Sequence, residues 1–181
     1  MFGPTLLGDG AHAGRACVFL HLSAHDTGLA LTADEIVARL RELDTSRTHR
    51  AVVIGKQASL AWDAELAATI RRAGFRVHLE TDGTHPLAGP VDWLAIAPAR
   101  PTATLADGLH ADEVKVIVDD AVDEATLDHY AARWRCEHYF VQPRVADRHL
   151  DRTLALIQTR PRWRLSLQIH KILTVPRSLQ A

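Results

Sequence analysis

The 181-residue chain has only two cysteines, Cys17 and Cys136. Two thiols cannot complete a four-cysteine zinc site or supply three thiolates to an iron–sulfur cluster. Neither sign of charge is in excess: 21 Lys and Arg stand against 22 Asp and Glu, a formal net charge of -1. That balance excludes the broad basic face with which a protein tracks nucleic acid, although a small local patch remains open. No apolar run approaches the roughly 20 residues that span a bilayer, and residues 1–14 lack a basic-then-apolar signal design. Repeats and low-complexity linkers are also missing. These absences lead us to expect a cytoplasmic protein with no membrane and no nucleic-acid partner.

What is there suits one folded unit. Hydrophobic residues make up 47% and charged residues 24% of the chain, and about 150 residues per domain is the usual measure, so residues 1–181 are read as a single domain. Short apolar runs at 16–20, 51–55, 76–80, 93–97, 114–118 and 139–141 read as strands. Helices fit 63–72, 124–134 and about 149–159 between them, by amphipathic spacing. Another helix opens at the capping box Thr32-Ala33-Asp34-Glu35. The stretch Trp163–Leu173 is ambiguous, because Leu165, Leu167 and Ile169 alternate as in a strand. Strands separated by helices imply parallel βαβ units. The fold class is therefore α/β: an open, incomplete barrel of about six strands with a mostly parallel sheet, smaller than a full eightfold barrel.

In such sheets ligands sit at the carboxyl ends of strands. His21, His25, Asp26 and Thr27 follow the first strand. Gly55-Lys56-Gln57-Ala58-Ser59 follows the second and lacks the full phosphate-loop pattern. Glu80-Thr81-Asp82-Gly83 follows the third, where two carboxylates flank a tight turn and Asp and Gly also suit the bend itself. Gln142 and Pro143 follow the last. None of these alone specifies a chemistry.

Their order along the chain resembles one family. Leu7-Gly8-Asp9-Gly10-Ala11-His12-Ala13-Gly14-Arg15 is similar to the Gln-Gly-Glu-Gly…Gly-Arg opening of the 7-carboxy-7-deazaguanine synthases, in the radical S-adenosylmethionine (SAM) superfamily. Glu80-Thr81-Asp82-Gly83 resembles their Glu-Thr-Asn-Gly, and Glu113-Val114-Lys115-Val116 their Glu-Leu-Lys-Val. Val141-Gln142-Pro143 and Trp163-Arg164-Leu165-Ser166-Leu167-Gln168-Ile169-His170-Lys171 resemble the closing Val-Gln-Pro and Trp-Arg-Leu-Ser-x-Gln-Thr-His-Lys.

The departures fall on the radical half of the family's site. Ser23-Ala24-His25-Asp26-Thr27 stands where the resemblance implies the cluster cysteines, with His25 at the third position. Gly55-Lys56-Gln57-Ala58 replaces the Gly-Gly-Glu-Pro segment that holds SAM. No 4Fe–4S cluster is expected, SAM binding has no support, and reductive SAM cleavage, which needs the cluster's electron, is excluded. On the substrate half, the resemblance implies ligand contacts from Asp9, Arg15, Glu80, Asp82, Gln142 and Gln168. Asp26 and Thr27 match a magnesium site, which leaves that ion open.

Three readings follow. The first is a cluster-less binding protein or pseudoenzyme that takes a pterin or 7-deazapurine ligand, or pairs with an active synthase, as a homodimer or a heterodimer. The second is a repurposed hydrolase or lyase acting on a pterin or deazapurine carboxylate, with His25 and His170 as general acid–base groups. The third is a structural interaction protein.

Overall fold

The computed structural model describes residues 1–23, 31–55, 57–99 and 104–172. Eight strands are present: β1 (Phe2–Leu6), β2 (Ala16–His21), β3 (Arg50–Ile54), β4 (Arg76–Thr81), β5 (Trp93–Ile96), β6 (Glu113–Val118), β7 (His138–Pro143) and β8 (Arg164–Leu165). The helices are α1 (Ala33–Leu43), α2 (Ala58–Ala61), α3 (Ala64–Arg72), α4 (Glu124–Arg133), α5 (Ala146–Thr159) and α6 (Ile169–Ile172). The strands pair in sequence order from β1 to β8. Only β1–β2 is antiparallel; every later pair is parallel. The result is an open α/β sheet.

All six expected strands form, and two more extend the sheet. β1 carries Pro4, a residue that suppresses a strand reading from sequence but is tolerated at a sheet edge, where no ladder hydrogen bond is lost. The ambiguous stretch after Trp163 divides into the two-residue β8 and the single-turn α6. Thr32 caps α1 as the capping box predicts, its hydroxyl accepting from Glu35 N–H while the Glu35 carboxylate accepts from Thr32 N–H. α5 begins three residues earlier than its apolar pattern indicates. His149 explains the shift, because its Nδ1 accepts from Val145 N–H at 3.2 Å and closes the first turn from inside the helix.

Alternation along the strands divides the sheet into two faces. Val18, Leu20, Ala51, Val53, Val77, Leu79, Leu94, Ile96, Val114, Val116 and Val141 pack against Ile36, Leu40, Ile70, Leu127 and Leu156 of the helices in one buried core. Trp62 is fully buried in that layer and donates from Nε1 to Gly89 O. The other face holds a smaller apolar group of Leu7, Cys17, Phe19 and Val52, with Phe2 stacked on Phe19 at 4.8 Å. The rest of that inner face carries charged and imidazole side chains among Trp93, Ala95 and Phe140. Among the described residues, no helix is long and apolar enough to cross a membrane.

Candidate functional site

The register sets Glu80 beside Ala95, Ala95 beside Glu113 and Glu113 beside His138 across β4 to β7. Paired residues on neighbouring strands project to the same side, and residues two apart share a face. His78, Glu80, Glu113, Lys115, His138, Phe140 and Gln142 therefore all belong to the inner face. The loop from Leu7 to Arg15 lies against this face and connects the two ends of the sheet. Gly10 N–H donates to Ser166 Oγ at 3.1 Å, and Ile169 N–H donates to Gly8 O at 2.9 Å. The turn is closed by Leu7 N–H to Arg15 O and Gly14 N–H to Leu7 O.

This loop brings a third carboxylate to the inner face. Lys115 Nζ lies 2.5 Å from Asp9 Oδ1 and 3.5 Å from Glu80 Oε2. Lys115 is 4% exposed and Glu113 only 1%. Burial alone would lower the ammonium's pKa, but the charges of Glu80, Asp9 and Glu113 outweigh it and hold the lysine protonated, above its ordinary range. Burial pushes the Glu113 carboxyl up, against the opposing pull of Ala11 N–H, which donates to Glu113 Oε2 at 3.0 Å, and of Lys115. Two carboxylates, Asp9 and Glu80, thus pair with one buried cation, and the charge of a third, Glu113, acts on it from the same strand face. Their remaining oxygen lone pairs are suited to accept N–H donors of a bound molecule.

Beside this group stands a cluster of imidazole and indole rings. His12 Nδ1 lies 3.4 Å from His78 Nδ1, and the His12 ring centroid is 4.2 Å from that of Trp93. His138 flanks the indole at 5.4 Å. Burial, then the neighbouring positive charges, lowers the pKa of His12 to about 4 and that of His78 to about 3. Both imidazoles are therefore neutral near pH 7.

Asp9 and Glu80, both expected as ligand contacts, meet on Lys115. Gln142 is buried, and its Oε1 accepts from Ser166 Oγ at 3.2 Å, which ties it to the same loop. Gln168 lies half-buried between β8 and α6, and His170 falls within α6. Arg15 is exposed, and its electrostatic neighbours are His12 and Arg50. Asp82 Oδ1 accepts from both Thr84 N–H and Thr84 Oγ1, so its carboxylate serves the turn after β4. His25, Asp26 and Thr27 lie outside the described residues. Among the described residues, no three His, Cys, Asp or Glu side chains are arranged to hold a metal ion. Cys17 is fully buried in β2, where burial pushes its thiol up to about 12. Cys136 precedes β7 and donates its thiol hydrogen to His138 O.

Sequence reasoning places His12, Glu113 and Lys115 within motifs without giving any of them a role, and it does not single out His78. The signal was present on β6: charged Glu113 and Lys115 alternate with Val114 and Val116 in a strand buried on both faces. A charge in such a strand calls for a partner across the sheet. At Gly10 the loop backbone runs tight against Glu113. The φ of Gly10 is +70°, and an added Cβ would meet Glu113 Oε1 at 2.2 Å, whereas one at Gly14, with φ +81°, would meet nothing within 4 Å. Gly10→Ala should therefore cost about 1–3 kcal/mol in urea unfolding and clearly exceed Gly14→Ala. Equal losses would mean that Glu113 does not confine the loop.

No protein-family model matches the chain. The 7-carboxy-7-deazaguanine synthase of Bacteroides thetaiotaomicron is 30% identical over 183 aligned residues, covering 94% of each chain. That of Burkholderia multivorans is 29% identical over 205 residues, covering 95% of each. The crystal structure of QueE from Escherichia coli superposes with a TM-score of 0.70 over 91% of this chain and 90% of that one, at 20% identity, and supports the same fold. The motif order, the sheet and these relatives agree: the chain belongs to the 7-carboxy-7-deazaguanine synthase family.

Proposed function

We propose that this protein binds a pterin or 7-deazapurine type ligand on the inner face of its sheet and does not perform reductive SAM cleavage. The observation that carries the binding half is the pairing of Asp9 and Glu80 with buried Lys115 beside the carboxyl group of Glu113. Pterins and 7-deazaguanines share an edge of adjacent amino and ring N–H donors. A carboxylate accepts such a pair through both oxygens, in a geometry that water does not reproduce. One ammonium among three carboxyl groups leaves acceptor capacity for such an edge.

The second half rests on the donor set. A 4Fe–4S cluster requires three cysteine thiolates and an open iron site, and this chain has two cysteines. Cys17 is a fully buried thiol pushed up to about 12, far from thiolate character at neutral pH. These residues do not fit the cluster.

Titration calorimetry of the full chain with 6-carboxytetrahydropterin tests this reading. Saturable heat is expected, with affinity at least tenfold weaker in Glu80→Gln, a near-isosteric change at a partly exposed side chain. No heat, or an affinity untouched by Glu80→Gln, sinks the reading and moves the search to pairing with an active synthase.

A second reading, a non-radical hydrolase or lyase acting on the ligand's carboxylate, is favoured by Glu113. A buried carboxyl pushed above its ordinary range beside a lysine has the character of a general acid. Loss of the pterin on incubation without SAM, abolished by Glu113→Gln, would favour it. An unchanged pterin would leave binding as the function.

A further inference from the structure

The N-terminal edge of the parallel strands carries a group of cations that the carboxylate–lysine site does not use. Val18 pairs with Ala51 and Arg50 with Arg76, so Cys17, Arg50 and Arg76 follow one another across β2, β3 and β4. Arg15 enters two residues before Cys17. Arg15 and Arg76 are exposed and Arg50 is half-buried. Arg50 is depressed by burial and then by the charges of Arg15 and Arg76, which fits three guanidinium groups crowded together. Among the described residues, none of the three forms an ion pair.

The nearby carboxylates are engaged elsewhere. Asp112 accepts from Leu94 N–H at 2.7 Å, and Asp92 accepts from Val77 N–H while pairing with Arg71 at 3.2 Å. The turn leading into β3 is tightly fixed. The buried Asp44 carboxylate accepts from Thr48 N–H and His49 N–H, and Arg47 and His49 adopt left-handed φ values of 50° and 48°. His49 O then accepts from Arg76 N–H, which locks the start of β4 to that turn. The guanidinium row is thus mounted on rigid backbone.

We propose that Arg15, Arg50 and Arg76 form an anion site at this edge that takes the diphosphate group of a small molecule. Guanidinium forks match phosphate oxygens bidentately. Three of them across two strand spacings, roughly 10 Å, exceed the reach of a single carboxylate and suit two linked phosphates. The net charge of -1 and the short row offer no track for a long polyanion. The site shares Arg15 with the expected ligand contacts, whereas Arg50 and Arg76 lie outside them.

Pyrophosphate, GDP and inorganic phosphate, titrated into the full chain at fixed ionic strength, test it. Pyrophosphate is expected to bind at one site and more tightly than phosphate. Its affinity should fall at least tenfold in Arg76→Ala, an exposed position, and in Arg50→Lys, which keeps the charge and removes the fork. GDP binding more tightly than pyrophosphate would assign the diphosphate to a nucleotide, and equal binding to the diphosphate alone. Absence of saturable pyrophosphate binding, or affinities unchanged in both variants, overturns the proposal.

Discussion

Lys115→Met should lower the stability of the protein by about 3–5 kcal/mol, the cost of removing one partner from a buried ionic group. The side chain is 4% exposed, and its loss leaves Asp9, Glu80 and Glu113 facing one another with no cation between them. Met keeps the approximate length and removes only the charge, so packing contributes little. The pH dependence separates this cause from a cavity. Lys115 is held above its ordinary range, so its stabilisation is complete below that range and is lost only as pH rises through the folded-state value. In the variant the uncompensated carboxylates gain protons on acidification, so the deficit should shrink between pH 8 and pH 5. Urea unfolding at both pH values measures it. A deficit below about 1 kcal/mol, the scale of a surface pair, would show that the network does not anchor the loop.

The second large effect is acid destabilisation centred on His12 and His78. Their folded-state pKa values are lowered to about 4 and about 3, while an unfolded imidazole titrates near 6.5. Stability from the neutral pair is therefore complete above the unfolded value. It is lost as pH falls towards the folded values, by up to about 1.4 kcal/mol per pH unit for each imidazole. Glu113, raised by burial, acts in the opposite sense on acidification, because the folded state takes up its proton first. The comparison of wild type with His78→Phe isolates the imidazole. The variant should show a shallower stability loss between pH 6 and pH 4, read from urea midpoints. Parallel curves would mean that His78 titrates in the folded protein as it does in the unfolded chain.

Much of the fold was legible because its signals are local. Apolar runs on strands buried between helices and inner face, and the Thr32–Glu35 capping box, all act within a few residues. β1 was not legible, because Pro4 argues locally against a strand, and β8 was legible only as the strand-like alternation of an ambiguous stretch; both are edge strands, each paired on one side alone. The candidate site was half legible. Motif order placed Asp9, Glu80 and Gln142 together, and the structure joins them through Lys115 and Ser166. The converging role of Lys115 depends on a loop that returns 106 residues away in sequence. The His12–His78 contact, spanning 66 residues, likewise has no local trace. Asp82 does have a local trace: its Oδ1 accepts from Thr84 N–H and Thr84 Oγ1 two residues on, the turn role that Asp and Gly suggest in the sequence.

One measurement most directly tests the proposal that the chain binds a pterin type ligand without cleaving SAM. The protein is treated anaerobically with iron and sulfide, then supplied with SAM, a strong reductant and 6-carboxytetrahydropterin, and SAM cleavage is followed alongside pterin binding. Bound pterin with SAM left intact is the predicted result. SAM cleaved in proportion to protein would contradict it, and would require a cluster held by ligands other than the two cysteines of this chain.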